Sequence, residues 1–280
     1  MKVEKLGRLI IDRKIKYNIS NSIENCLVYI DKFLSYLVKN KPDIVDNYLT
    51  KLELIVETLT TDSFNYVNNF DFKSLKGLLK NLQKHQVLVD GIVNYHLSLL
   101  KMPKDRDLSQ QVFTLLHFDV DRGNSYPRYY LLKILTKLLD RDEAIQLFKA
   151  YIDLQIIENL ERPHRETITE IFELDVKNGK NSESSAFISA LLNEGLYAGR
   201  VDSCMGYESL KELNDPELTE IITCYADFEK VKKSNKHFVL TRTCTLHTGP
   251  YCDNLYHDTR IVSDTKHLPR DFFDNLVKMK

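Results

Sequence analysis

Glycine and proline are scarce in this chain of 280 residues, at 9 and 7. So few breakers exclude collagen-like and linker-like chains, and they argue against an all-β fold, which needs a turn about every ten residues. No stretch approaches the roughly 18 consecutive apolar residues of a membrane span, so no membrane partner is expected. The opening run MKVEKLGRLIIDRKIKYN scatters charges through a very short apolar segment. A secretory signal needs a longer uninterrupted one, and the expected compartment is the cytoplasm. A surplus of either charge is missing as well: 39 Lys and Arg stand against 40 Asp and Glu, for a formal net charge of -1. Nucleic acid is therefore not an expected partner, because a dedicated binder carries excess base to neutralise phosphates. Glycine-rich phosphate loops, GxSxG, HExxH and CxxC are all absent, which removes the commonest sequence routes to a named chemistry.

What is present is the make-up of a folded globular chain, 43% hydrophobic and 28% charged. Its length suits one large domain or two ordinary ones. From residue 15 to 102 the pattern is nearly all helical. IENCLVYIDKFLSYLVKN places Ile23, Leu27, Ile30, Phe33, Leu34 and Leu37 at spacings of three and four, the stripe of a helix lying on a core. Pro42 ends it, since proline disfavours helical geometry in the residue before it. Further helices are expected over 43–59 and 72–100, with a loop at 62–71 between them. The polar run 101–107, which contains Pro103, reads as a linker.

Beyond the linker a short helix is expected at 108–118 and a loop at 121–127. Pro127 should then open a helix reaching Leu139. Helices follow over 141–160 and 165–176, from about 182 to 200 through SAFISALLNEGLYAG, and from 214 to 233. Only after Asn235 does the period change to two. Leu240, Arg242, Cys244 and Leu246 alternate with Val239, Thr241, Thr243 and Thr245, and YCDNLYHD returns as a second strand after Gly249-Pro250. The expected fold is α+β and mostly helical. A helical bundle would occupy residues 1–102, and helices packed on a small antiparallel sheet would occupy 107–280.

The five cysteines are odd in number and too sparse for a disulfide scaffold. Four of them, Cys204, Cys224, Cys244 and Cys252, fall within 49 residues. Cys224 and Asp227 lie three apart on one expected helix and so share a face. Cys252 and Asp253 are adjacent in a strand and so point to opposite sides. Folding the 214–233 helix onto the hairpin would gather thiols, a carboxylate, the Arg242 guanidinium and one of His237, His247 or His257. The plainer alternative is that each thiol packs as a small hydrophobe. Structural zinc sites favour pairs two to four apart, and this chain has none.

The run from Cys204 to Asp258 resembles the C-terminal signature of the L-2-amino-thiazoline-4-carboxylic acid hydrolase family. The likeness rests on Cys204, the segment 210–218, Cys224 with Asp227, the RTCTL strand from Arg242, Gly249, and Cys252-Asp253. Met205 stands where that pattern has proline. The close match covers about a fifth of the chain, and the first hundred residues are outside it. The resemblance implies hydrolysis of a cyclic amidine or thiazoline in a small carboxylate-bearing substrate. Cys224, Asp227 and Cys252 would be the catalytic groups, with Arg242, Cys204 and Asp253 binding substrate. Either a thiolate attacks the ring carbon, or thiols and histidine hold zinc or another divalent ion that activates water; the cysteine route, without cofactor, is preferred. A looser resemblance to 4-vinyl-reductase-type domains implies a non-catalytic sensor or carrier of small molecules. There the N-terminal bundle would serve interaction or dimerisation, giving a homodimer.

Overall fold

The structure, a computed structural model, describes residues 1–60, 78–102, 112–159, 161 and 163–279. The expected loop at 62–71, the start of the 72–100 helix and most of the 101–107 linker lie outside the described residues. The fold is α+β and mostly helical. It divides into two compact units, Asp12–Tyr151 and a second made of Met1–Ile11 with Ile152–Lys280. The expected boundary at 102–107 is not where this division falls, and strand pairing explains why. The strands β2 (Lys14–Asn18) and β3 (Val112–Leu116) pair antiparallel, so residues on either side of 102–107 share one sheet. Residues 14–18, read as helical, and 112–116, read as part of a short helix, are these strands.

In the Asp12–Tyr151 unit, helix α1 (Ile19–Asn40) begins where Asn18 Oδ1 accepts the Asn21 amide at 2.9 Å. All six apolar residues of the expected stripe are buried. Phe33 sits among Tyr48 of α2 (Val45–Thr60) and Phe148 and Tyr151 of α5 (Arg141–Asn159), with ring centroids 5.0–5.7 Å apart. Losing such a buried ring costs about 3–5 kcal/mol. Asp31, on α1, is buried and accepts the amides of Lys80, Asn81 and Leu82 at 2.7–3.0 Å.

Helix α4 (His117–Leu135) corrects two expectations, because the loop at 121–127 is helical and Pro127 lies inside the helix. A proline there cannot donate to the carbonyl four residues back. That carbonyl is Gly123 O, and His96 Nδ1, from α3 (Gln86–Leu99), lies 3.0 Å from it. A carbonyl only accepts, so Nδ1 carries the proton, and Nε2 faces the Ser22 hydroxyl at 2.7 Å. A Cβ at Gly123 would come 2.7 Å from Leu100 Cδ2, so glycine is what lets the helices approach here.

In the other unit, the strands β1 (Lys2–Leu9), β4 (Ser184–Asn193), β5 (Leu196–Cys204), β6 (Phe238–Thr241) and β7 (Cys252–Asp258) form a sheet. It is antiparallel and five-stranded, in the order β1-β4-β5-β7-β6. The helix expected at 182–200 is therefore the β4–β5 hairpin. Glu194-Gly195 turns it, with Asn193 paired to Leu196 and Asn193 Oδ1 accepting the Gly195 amide at 2.9 Å. Ala and Leu favour helix locally, but pairing with β1 on one side and β7 on the other overrides that preference. The strand whose alternation is expected through Leu246 stops at Thr241.

One face of the sheet packs Leu6, Tyr197 and Leu240 against Phe172 and Val176 of α6 (Ile168–Gly179) and Val231 of α9 (Ala226–Ser234). The other packs Ile188, Ala198 and Leu255 against Phe273 and Leu276 of α10 (Arg270–Leu276). Among the described residues no helix is long and apolar enough to cross a membrane.

Candidate functional site

The helix expected over 214–233 is two helices, α8 (Pro216–Thr223) and α9, separated at Cys224-Tyr225. Cys224 therefore caps α8 instead of sharing a helical face with Asp227, which sits in the first turn of α9. Arg242 spans this break. Its Nη1 donates to Cys224 O at 3.1 Å, its Nη2 to Asp227 Oδ2 at 3.0 Å, and its Nε to Asn254 Oδ1 at 2.6 Å. The Arg242 side chain is 5% exposed and that of Asp227 37%. A charge this deep needs its partners, because removing one leaves an uncompensated ion.

Alternation along β7 puts Cys252, Asn254 and Tyr256 on one face and Asp253, Leu255 and His257 on the other. Asp253 is thus across the sheet from Arg242 and apart from Cys224 and Asp227. It is 2% exposed and accepts from Thr243 N at 2.8 Å, Cys244 N at 2.7 Å and the Thr243 hydroxyl. Past the end of β6 these bonds tie residues 243–244 to β7 through the Asp253 side chain, while the Asp253 amide donates to Cys244 O at 3.1 Å. His267 Nε2 lies 3.3 Å from Asp253 Oδ2. Despite burial, these donors and His267 hold the Asp253 carboxyl below its ordinary value.

The sulfurs gather on the Arg242 side. Cys252 Sγ accepts the Leu246 amide at 3.3 Å. A Cβ at Gly206, in α7 (Met205–Leu210), would touch both Cys204 Sγ at 3.7 Å and Thr223 at 3.6 Å, so the ends of β5 and α8 adjoin. Burial pushes the Cys224 thiol up to about 12 and that of Cys252 to about 11, with Arg242 only partly opposing. Both are neutral thiols at pH 7. Among the described residues, no group of three or more His, Cys, Asp or Glu side chains is placed to hold a metal ion.

Of the three candidate histidines, His247 is the one beside Cys224. Its Nδ1 lies 2.9 Å from Thr219 Oγ1, and its Nε2 2.9 Å from Thr223 Oγ1. Thr219 donates to Asp215 O at 2.8 Å and Thr223 to Thr219 O at 2.8 Å, so both hydroxyl protons go to main-chain carbonyls and each hydroxyl oxygen presents lone pairs to the ring. Thr223 Oγ1 is 3.2 Å from Cys224 Sγ, so thiol, hydroxyl and imidazole adjoin, with the hydroxyl proton held by Thr219 O. Burial lowers His247 to about 4, so the imidazole is neutral too.

Sequence reasoning missed a cavity of about 430 Å³ on the α6 and α9 side of the sheet. Ile171, Leu174, Asp175 and Asn178 form its α6 wall; Asp227, Lys230, Val231 and Ser234 form its α9 wall. Both sets are spaced i, i+3, i+4, i+7, the stripe that one helix turns to one side. Tyr256 is the floor, stacked on Tyr197 with centroids 4.8 Å apart, and Tyr197 donates to Asp175 Oδ2 at 2.8 Å. Those two stripes were the available signal, but nothing in the sequence says that α6 and α9 face each other. No family model, curated protein or solved structure matches this chain.

Proposed function

We propose that this chain is a small-molecule-binding module, a sensor or carrier, with its ligand seated in the cleft between α6 and α9. The observation that carries this reading is the cleft. Its volume lies within the 300–1,000 Å³ typical of ligand pockets, and it combines an apolar base with a few charged groups. The adjoining thiols and imidazole rest uncharged, which suits a packed support more than a poised nucleophile. Ligand-observed NMR against a fragment library tests the reading. Hits are expected on the parent protein, and Asn178→Trp, which places an indole in the cleft from an exposed position, should abolish them without lowering the melting temperature. Fragments that bind the variant equally well would refute the assignment.

A second reading, hydrolysis of a cyclic amidine, is favoured by one observation, the Cys224–Thr223–His247 chain. The Thr223 hydroxyl, which donates to Thr219 O at rest, would turn to His247 Nε2 and relay the thiol proton as sulfur attacks the ring carbon between nitrogen and sulfur. The proton would then go to the departing ring atom, and water would release the product from the sulfur. A neutral thiol can react this way, as a serine hydroxyl does when a base removes its proton during attack. The test is turnover of 2-amino-thiazoline-4-carboxylate. Activity abolished by Cys224→Ser and retained by Asn178→Trp would favour this reading over the first.

A further inference from the structure

From the geometry on the α10 side of the sheet, we infer that Thr241, His257 and His267 form a proton-operated latch. It ties the chain from residue 263 through α10 to the sheet, and acid loosens it. Thr241 Oγ1 stands between two imidazoles, 3.1 Å from His257 Nε2 and 2.9 Å from His267 Nδ1. His267 Nε2 lies 3.3 Å from Asp253 Oδ2, and its ring stacks on Phe273 of α10 with 5.2 Å between centroids and 6° between planes. Among the described residues, no backbone–backbone hydrogen bond joins residues 263–268 to the sheet, so His267 is the polar anchor of this stretch. Beyond it, α10 covers Ile188, Ala198 and Leu255 with Phe273 and Leu276. Arg200 Nη1 and the Tyr251 hydroxyl add one bond each to α10, so acid loosens the helix without stripping it away.

With both rings neutral, the three groups match. A carboxylate only accepts, so the proton of His267 sits on Nε2, and Nδ1 takes the Thr241 hydroxyl proton in preference to Leu255 O at 3.5 Å. Thr241 Oγ1 then accepts from His257 Nε2–H, which leaves His257 Nδ1 bare, and that buried atom makes no hydrogen bond among the described residues. With both rings charged, both donate to Thr241 Oγ1, and its own proton is left only the distant Leu255 carbonyl. Two cations then flank one hydroxyl. The anions near them are Asp253, which already holds two amides and the Thr243 hydroxyl, and Asp264 on the 263–268 stretch. On α10 the neighbour is the Phe273 ring, and Asp274 is taken by the Tyr251 hydroxyl. Burial first, and the His267 charge second, hold His257 below its ordinary value of 6.5 against the pull of Asp264. The folded state therefore prefers a neutral His257, so the latch is complete above about pH 6.5 and is lost as pH falls. His257 is 1% exposed and lies within β7, so His267, on the stretch without main-chain ties, is the group that gives way.

Amide hydrogen exchange of the full chain at pH 7.5 and pH 5, corrected for intrinsic rates, tests the latch. Protection of α10 should fall about tenfold on acidification, while that of β5 in the same sheet holds. His257→Gln should remove the fall, and His267→Gln should reduce it. Histidine-selective NMR of the parent gives a reading that needs no variant: His257 should take up its proton over the pH range in which α10 loses protection. Equal protection of α10 at both pH values would overturn the proposal. So would a fall that persists undiminished in both variants, or one during which His257 stays neutral. If β5 loses protection in step with α10, the whole unit is opening and the latch falls as well.

Discussion

Pro127 inside α4 and His96 on α3 form a pair whose dependence can be measured. Proline withholds the amide that Gly123 O would otherwise receive, and the imidazole supplies the replacement from 3.0 Å. His96 is 1% exposed, so His96→Leu leaves the Gly123 carbonyl and the Ser22 hydroxyl without this partner in the interior. Ser22 keeps its bond to the Tyr17 hydroxyl at 3.0 Å, so the cost is chiefly that of the unpaired carbonyl, about 2 kcal/mol. Pro127→Ala returns an amide to the helix. In that background the carbonyl keeps a partner, and His96→Leu should cost about 1 kcal/mol less, a positive coupling in a double-mutant cycle. The pH dependence has a definite sign. Burial lowers His96 from 6.5 to about 4, so the folded state prefers the neutral ring. Its contribution is complete above about 6.5 and is lost as pH falls toward 4, by up to about 3 kcal/mol. Urea denaturation followed by circular dichroism and tyrosine fluorescence at pH 7 and pH 5 would measure both effects. If His96→Leu costs as much in the Pro127→Ala background as in the parent, or if the parent gains stability from this group on acidification, the reasoning is wrong.

Three further outcomes are expected. Asp253→Ala should cost about 4 kcal/mol, since three donors lose a charged acceptor, and Asp253→Asn about half of that because its oxygen keeps the two amides; equal losses in urea titrations would contradict the assignment. As the folded carboxyl lies below its ordinary value, the stability it contributes is present above about pH 4 and disappears as pH falls further. A double-mutant cycle on Arg242→Met and Asp227→Asn should give a coupling of about 1 kcal/mol, modest because Asp227 is 37% exposed; a null coupling would mean that Arg242 stands on Asn254 and the Cys224 carbonyl alone. Iodoacetamide should alkylate Cys224 and Cys252 in the native protein about 10²–10³-fold more slowly than in urea at pH 8, and equal rates would show that these thiols are not held neutral.

The α1 stripe could be read directly because a helix on a core leaves its period in the sequence, and β6 for the matching reason in a strand, with β7 as its return after the turn. The β4–β5 hairpin could not. SAFISALLNEGLYAG is rich in helix formers, and only its partners β1 and β7, one of them about 180 residues away in the chain, make it a strand pair. Asn193-Glu194-Gly195 was the one local sign of the turn. The break at Cys224 was hidden likewise, because the Arg242 that bridges it arrives from the end of β6.

Composition and period alone fixed the class of this protein. They gave a mostly helical α+β chain, the burial of the α1 stripe, and a concentration of thiols near Arg242 and Asp227. Burial, charge state and facing were left to the tertiary structure. It neutralised the thiols by dehydrating them, engaged Asp253 with the amides of residues 243 and 244, and set two ordinary helical stripes opposite each other around Tyr256. The reason is physical. A local pattern records which side of an element avoids water, whereas a pKa or a cleft depends on which distant element covers that side.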